Sequence, residues 1–411
     1  MRRFRLLLSQ PGVSRLMAAA VVTRASTSVL SLSLLLAAHA ATGSYAVAGL
    51  VLTGHATALA LAAPISGRWV DRLHPRPVLL ACLGLHLFAY AGVLTALGLR
   101  AWTGALVGCA ALLGASTPPS SAVIRGTWPA VVPSDRLPTA YALDSAINEA
   151  TFVSGPLLVS AVVTFASPYV LIVLAGSCTL LGVVTLVLTP SLRHSRPAPR
   201  EKSAGPRRWL GPLAERQVRL LLTMAAMGAL CYGAMQIGAA ATVARIGATG
   251  SVGIVVGAMS AGAVLGGLGY GSRPWPGNQR YQVAFLYVGS GALVACAAIA
   301  PGVTALALIF AAAGLVGGPR DCIEQTLLAE ASPQQSRTET FAWLNTFMWT
   351  GYGVGTAVAG RLVTESNASQ PFLIGAVACA VATLAALALR ARTGAPTPTS
   401  ADDRLPETAE I

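Results

Sequence analysis

SGRWVDRLHPRP, residues 66–77, sets three arginines, an aspartate, a histidine and two prolines between long stretches almost free of charge. The 411 residues around it are 54% hydrophobic and only 10% charged, with a mean hydropathy of +0.65. Soluble domains carry about 25% charged residues. Apolar runs of roughly 20 residues recur along the chain, the length a helix needs to cross a hydrocarbon core of about 30 Å. Residues 66–77 therefore read as a hairpin between two membrane crossings, where Pro75 and Pro77 stop one helix and permit the next. The runs are too long for barrel strands and lack period-2 alternation, so the fold class is an all-α membrane protein.

Working outward gives twelve expected spans, from 16–41 to 370–391, with the fifth over 139–165 and the tenth over 303–329. The stretch 190–216, rich in Pro, Arg and Ser, reads as a linker between an N-terminal six-helix bundle (1–189) and a C-terminal one (217–392), with a polar tail over 393–411. The halves are weakly repetitive. At an offset of 200, Gly114, Pro119, Pro133, Ala142 and Gly155 meet Gly314, Pro319, Pro333, Ala342 and Gly355. Duplicated six-helix halves point to a transporter with its site between them.

The net charge of +13 raises nucleic acid as a partner, but its distribution argues against that. With both termini on one side, that side collects nearly all of the 28 basic residues. Only Arg100, Arg245 and Arg361 fall opposite, and Arg24 and Arg320 lie within spans. This is the positive-inside bias; it places both termini in the cytoplasm of a cell-membrane protein. MRRFRLLL and the run after it resemble a secretory leader, but the run is too long for one and is read as a retained first span. The seven cysteines sit in apolar segments without CxxC spacing, so neither a metal site nor a cofactor is expected.

Twelve spans, a basic central loop and G-x-x-x-D-R-x-x-x-R between spans two and three resemble the major facilitator superfamily. Here the signature is Gly67, Asp71, Arg72 and Arg76. The resemblance implies a cytoplasmic gate. Its acid would engage the start of the eleventh helix near Thr338 and an arginine at the end of the fourth, Arg125. The second-half hairpin, GGLGYGSRPWPGNQR (266–280), has no acid, so this device is expected to be asymmetric. Gly155-Pro156 in the fifth span resembles the core of a glycine-rich pattern of family exporters. Thr151, Val159 and Ser160 stand where that pattern has glycine, which leaves a helix kink or a packing contact equally open.

An ionisable side chain deep in a span costs on the order of 2.5–3.5 kcal/mol on insertion scales and asks for a reason. In ALDSAINEATF (142–152), Tyr141, Asp144, Ser145, Asn148, Glu149 and Phe152 share an arc of about 140°. Asp144 and Glu149 are proton-site candidates, or else partners of Arg125 and Arg136. In GGPRDCIEQTLL (317–328), Arg320 can pair with Glu324 and Asp321 with Gln325 at i,i+4 spacing. Asp321 and Glu324 are thus either coupling acids or structural ones. Arg24 and Ser28 in the first span, Asn148, and Tyr232 and Gln236 in the seventh are expected on the cavity wall.

No hydrolase or nucleotide-binding motif competes, so the chain is not read as an enzyme. The expectation is a monomeric secondary transporter of a small organic molecule, embedded in the bilayer and working by alternating access. Proton-coupled efflux of a drug or secondary metabolite is the leading form. Uptake of a sugar or other nutrient, or a non-transporting receptor or scaffold, are the alternatives.

Overall fold

The computed structural model describes residues 2–10, 12–163, 165–193, 211–247, 251–365 and 369–390. Most of the expected linker and the tail over 393–411 lie outside them. Among the described residues there are twelve long helices and no strands: α1 (Val13–Thr42), α2 (Tyr45–Arg72), α3 (Pro75–Gly98), α4 (Thr103–Ala115 and Ser120–Val131), α5 (Leu137–Val163), α6 (Pro168–Leu188), α7 (Arg216–Arg245), α8 (Val252–Gly271), α9 (Gln279–Ala297), α10 (Val303–Ala331), α11 (Arg337–Glu365) and α12 (Gln370–Leu387). Ten of them are long and apolar enough to cross a membrane. The exceptions are α9, which opens on Gln279 and Arg280, and α11, whose Thr, Asn, Trp and Tyr residues dilute its apolar content. A seven-residue helix, Arg2–Leu8, precedes α1.

Local chemistry sets the boundaries. Pro75 and Pro168 sit at helix starts, where the missing N–H costs nothing. Ser44, His74, Ser167 and Asn278 accept first-turn N–H groups of α2, α3, α6 and α9. Two consecutive prolines, Pro118 and Pro119, break α4 into its two pieces. The equivalent stretch of α10 has Pro319 alone and stays one helix.

Each half packs by the same scheme. In the first, α1 lies on α5 and α6, α2 on α4, and α3 on α4 and α6. In the second, α7 lies on α11 and α12, α8 on α10, and α9 on α10 and α12. The residues repeated at an offset of 200 hold matching places in it. A Cβ on Gly114 would overlap the carbonyl oxygen of His55 in α2, and one on Gly314 that of Met259 in α8. Gly155 lies against Ser28 in α1, and Gly355 against Leu230 in α7. Pro133 and Pro333 each introduce a single 3-10 turn ahead of α5 and α11. In a membrane, where apolar side chains gain little by leaving lipid, such backbone-to-backbone approach is the main source of helix association.

The halves meet through α2 with α11 and α5 with α8, and also through α5 with α10 and α4 with α11. The arginine-rich end is where they close. There Gly67 admits Ala342 and Glu339, and Gly271 admits Ala142 and Thr139, the admitted residues again matched by the 200-residue offset. One continuous core, with Trp128, Tyr141 and Phe341 at this end, joins both halves and runs on through the second half to Phe310 and Phe372. A separate cluster around Leu34, Leu97, Leu113 and Ile172 fills the far end of the first half.

These contacts rank the glycines. Gly314→Ala drives a methyl into the backbone of α8 and is expected to destabilise by about 1–3 kcal/mol. Gly257→Ala, with open space at its Cβ, is expected to melt like wild type. Thermal unfolding of both variants in detergent checks the pair.

Candidate functional site

At the closed end, the α2–α3 hairpin delivers one carboxylate across the interface between halves. Asp71 Oδ1 accepts the Thr338 N–H at 3.1 Å, and Oδ2 accepts the Glu339 N–H at 2.7 Å. These are first-turn donors of α11, which its own helix leaves unsatisfied. The carboxylate also meets the positive end of the α11 dipole. Two acids, Asp71 and Glu339, come together here; Arg68 answers Glu339, its Nε donating at 2.9 Å, while Asp71 is held by the two backbone N–H groups. Arg125, the partner implied by the family resemblance, is engaged elsewhere. Arg72 is exposed, and Arg76 is half-buried with its Nε unpartnered.

Above this floor lies a cavity of two chambers, of about 240 and 730 Å³, sharing walls at Ser121, Asn148, Asn345, Trp349 and Tyr352. Two polar bars cross beneath it. Arg125 Nη1 donates to Asn345 Oδ1 at 3.4 Å, and Gln325 Nε2 donates to Ser145 Oγ at 2.9 Å. These are one contact written twice: residues 125 and 145 of the first half correspond to 325 and 345 of the second.

Asp144 is fully buried between two guanidiniums. Arg24 Nη2 donates to its two carboxylate oxygens at 2.7 and 2.8 Å, and Arg24 Nη1 to its carbonyl oxygen at 2.8 Å. Arg125 Nε donates to Oδ2 at 3.0 Å. Arg125 therefore turns inward to Asp144 and not outward to Asp71, because the acid on α5 lies within reach in the apolar interior. The i,i+4 pairs expected in α10 do not form. Arg320 bonds its neighbour Asp321 through Nε and Nη2 at 3.1 and 2.9 Å and stacks 5.0 Å from the Tyr287 ring centre. The Tyr287 hydroxyl donates to Glu324, and Gln325 is spent on Ser145.

Glu149 and Glu324 both line the smaller chamber without an ion-pair partner among the described residues; Glu324 accepts from the Tyr287 hydroxyl, and Glu149 bonds only to Ser260. Asn148, Tyr232, Arg320, Asp321 and Glu324 share that chamber, and Arg24 lines the larger one. Two expected wall residues do not reach it. Ser28 lies under Gly155, and Gln236 stands behind Tyr352, whose hydroxyl donates to it at 2.8 Å. Gly155 serves the α1–α5 contact, and α5 runs on helically through position 156; the Pro156 side chain is outside the described set.

Over residues 16–289 and 278–409 the sequence matches the family model described as Major Facilitator Superfamily. The chain belongs to the Major Facilitator Superfamily. No curated protein matches it. Among solved structures, the fold is similar to a bacterial homologue of the iron transporter ferroportin in an outward-facing state, with a TM-score of 0.74 at 15% identity, covering 91% of this chain and 98% of that one. It is also similar to the human organic anion transporter MFSD10 (TETRAN), with a TM-score of 0.70 at 16% identity over 92% and 100% of the chains. The E. coli fucose:proton symporter FucP gives a TM-score of 0.70 at 14% identity over 91% and 97%. As a member of this superfamily, the chain is a multi-pass membrane transporter and not an enzyme.

Sequence reasoning missed Asn345 and Tyr287; it placed Ser145 on the polar arc without its bond to Gln325, and did not pair Arg68 with Glu339. The signal for Ser145 and Asn345 was present in the 200-residue offset, applied to polar positions as well as to glycine and proline. The buried triad supplies a test. Asp144→Asn leaves two buried cations without a counter-charge and is expected to cost about 3–5 kcal/mol. Glu149→Gln removes a charge that has no cationic partner and should leave the melting temperature in detergent near that of wild type.

Proposed function

We propose that the chain is a secondary transporter that exports small amphipathic organic molecules in exchange for protons, with Glu149 as the acid that loads and releases the proton. The observation that carries this reading is the contrast among four intramembrane acids. Asp144 has its oxygens saturated by two arginines, Asp321 is held by Arg320, and Glu324 accepts from Tyr287. Glu149 faces the chamber without a cation. A carboxyl in such a place is free to exchange a proton with water or to meet a charged cargo.

The wall supports an amphipathic cargo. Phe152, Met235, Met259, Met348, Trp349 and Tyr352 form its apolar part, facing the amides Asn148, Gln325 and Asn345 and the charged Glu149, Asp321 and Arg320. Methionine side chains adapt to differing shapes and suit a permissive site. In this reading two rigid six-helix units, 1–189 and 217–392, joined by the linker 190–216, rock about the cavity. In the same reading the chain crosses twelve times, with both termini in the cytoplasm, the closed end at the inner face of the cell membrane and the cavity opening outward. In this reading the protein acts as a monomer.

Reconstitution into liposomes with an imposed pH gradient, assayed with a panel of lipophilic dyes and antibiotics, tests the proposal. Wild type should move at least one compound faster when the gradient opposes its flow. Glu149→Gln should lose that response while still binding the compound. Wild-type flux that ignores the gradient, or a variant as responsive as wild type, would contradict the reading.

A further inference from the structure

The repeat that matches Gly67 to Gly271 and Arg76 to Arg280 places Trp275 where the first hairpin has Asp71. The α8–α9 hairpin therefore meets the start of α5 without an acid. What stands there is a cavity of about 910 Å³ whose wall carries Arg3, Arg273, Arg280 and Arg390, with Asp135 and Glu330 as its acids. It spans the interface. Arg3 and Asp135 belong to the first half, and the other four to the second.

None of the four arginines forms an ion pair among the described residues. The Arg273 guanidinium sits over the Trp275 ring, 4.3 Å from its centre, and Trp275 stacks in turn on Tyr270 at 5.7 Å. Stacking of this kind holds a guanidinium by its face and leaves its N–H edge to a ligand. Arg280 packs 5.2 Å from the Tyr281 ring centre and donates to the Leu387 carbonyl, while its Nε is buried without any partner. Arg3 reaches the Asp135 carbonyl at 3.5 Å from a short helix anchored by fully buried Leu7, and Phe4 of that helix contacts the Gly271 position. Asp135 is answered by Arg136 at 3.8 Å. The wall is thus left with excess positive charge and an orphaned donor, at the place where the repeat omits a carboxylate.

We propose that this cavity binds a phosphate ester anion, carried by an anionic phospholipid of the adjoining leaflet, which supplies in trans the negative charge that Trp275 displaces. Planar guanidiniums match phosphate oxygens two at a time, and basic pockets between helices at a membrane face are suited to lipid head groups. Because its wall comes from both halves, an occupied site adds to the closure of this end. That consequence rests on the alternating-access reading above, whereas the binding itself does not.

The test uses the full chain in nanodiscs of phosphatidylcholine containing a minority of phosphatidylglycerol, with retained lipid counted by native mass spectrometry. Wild type and Arg245→Gln, which loses one charge at the opposite end, should retain phosphatidylglycerol. The double variant Arg273→Gln/Arg280→Gln should hold it on the order of tenfold more weakly. A parallel thermal-shift titration with inorganic phosphate separates the sources. Stabilisation by phosphate alone that disappears in the double variant assigns the site to a free anion, and retention of the lipid without it assigns the head group. Equal retention in all three proteins, or equal loss in Arg245→Gln, would overturn the proposal. Should the double variant not fold, Arg3→Gln/Arg390→Gln carries the same expectation.

Discussion

The closed end rests on a carboxylate set against a helix start. Asp71 satisfies two N–H groups that α11 cannot satisfy itself, and does so from the other half of the molecule. Charge-assisted bonds of this kind are short and strong. They are also severed together by a small rigid displacement, because both donors sit on one turn. The glycine contacts around them have the same character. Gly67 against Ala342 and Gly271 against Ala142 bring backbones close without interlocking large side chains, so they provide area that can part cleanly. On the rocking proposed above, smooth surfaces and a few directional bonds suit a seam that opens repeatedly.

The intramembrane charges divide by how completely they are answered. The Arg24–Asp144–Arg125 triad ties α1, α4 and α5 into one unit, and through Asn345 it touches α11. A buried network of this sort adds little net stability over an apolar equivalent, yet it penalises any arrangement that separates its members. It therefore keeps the first half rigid, while its own link to the second half is the one long bond from Arg125 to Asn345. The cluster of Arg320, Asp321, Glu324 and Tyr287 ties α9 to α10 in the same manner. Glu149 belongs to neither network, which is why the functional proposal centres on it.

Much of the fold was legible in the sequence because its signals are local or periodic. Span length, proline punctuation and the glycine offset each follow from backbone constraints that few residues can satisfy. Gly114 and Gly314 are glycines because another helix backbone occupies the space of a Cβ. The partners of long charged side chains were less legible. Arg320 has carboxylates one and four residues away, and rotamer and ring stacking on Tyr287 decide for Asp321. Arg125 lay within a plausible distance of both Asp71 and Asp144, and only the packing of α4 against α5 selects between them. Periodicity placed Asp144 and Glu149 on one polar arc, but it could not show that one of the two would be walled in by arginines.

The most direct test measures the seam itself. Spin labels at exposed positions 73 and 334, in a background with the native cysteines replaced, report the separation of α2 and the turn before α11. In wild type the distances should cluster at the short, closed value. Replacing Asp71 by Asn removes the charge while keeping the shape, and should shift the population toward longer distances by on the order of tenfold. An unchanged distribution in that variant would mean that Asp71 does not hold this end shut.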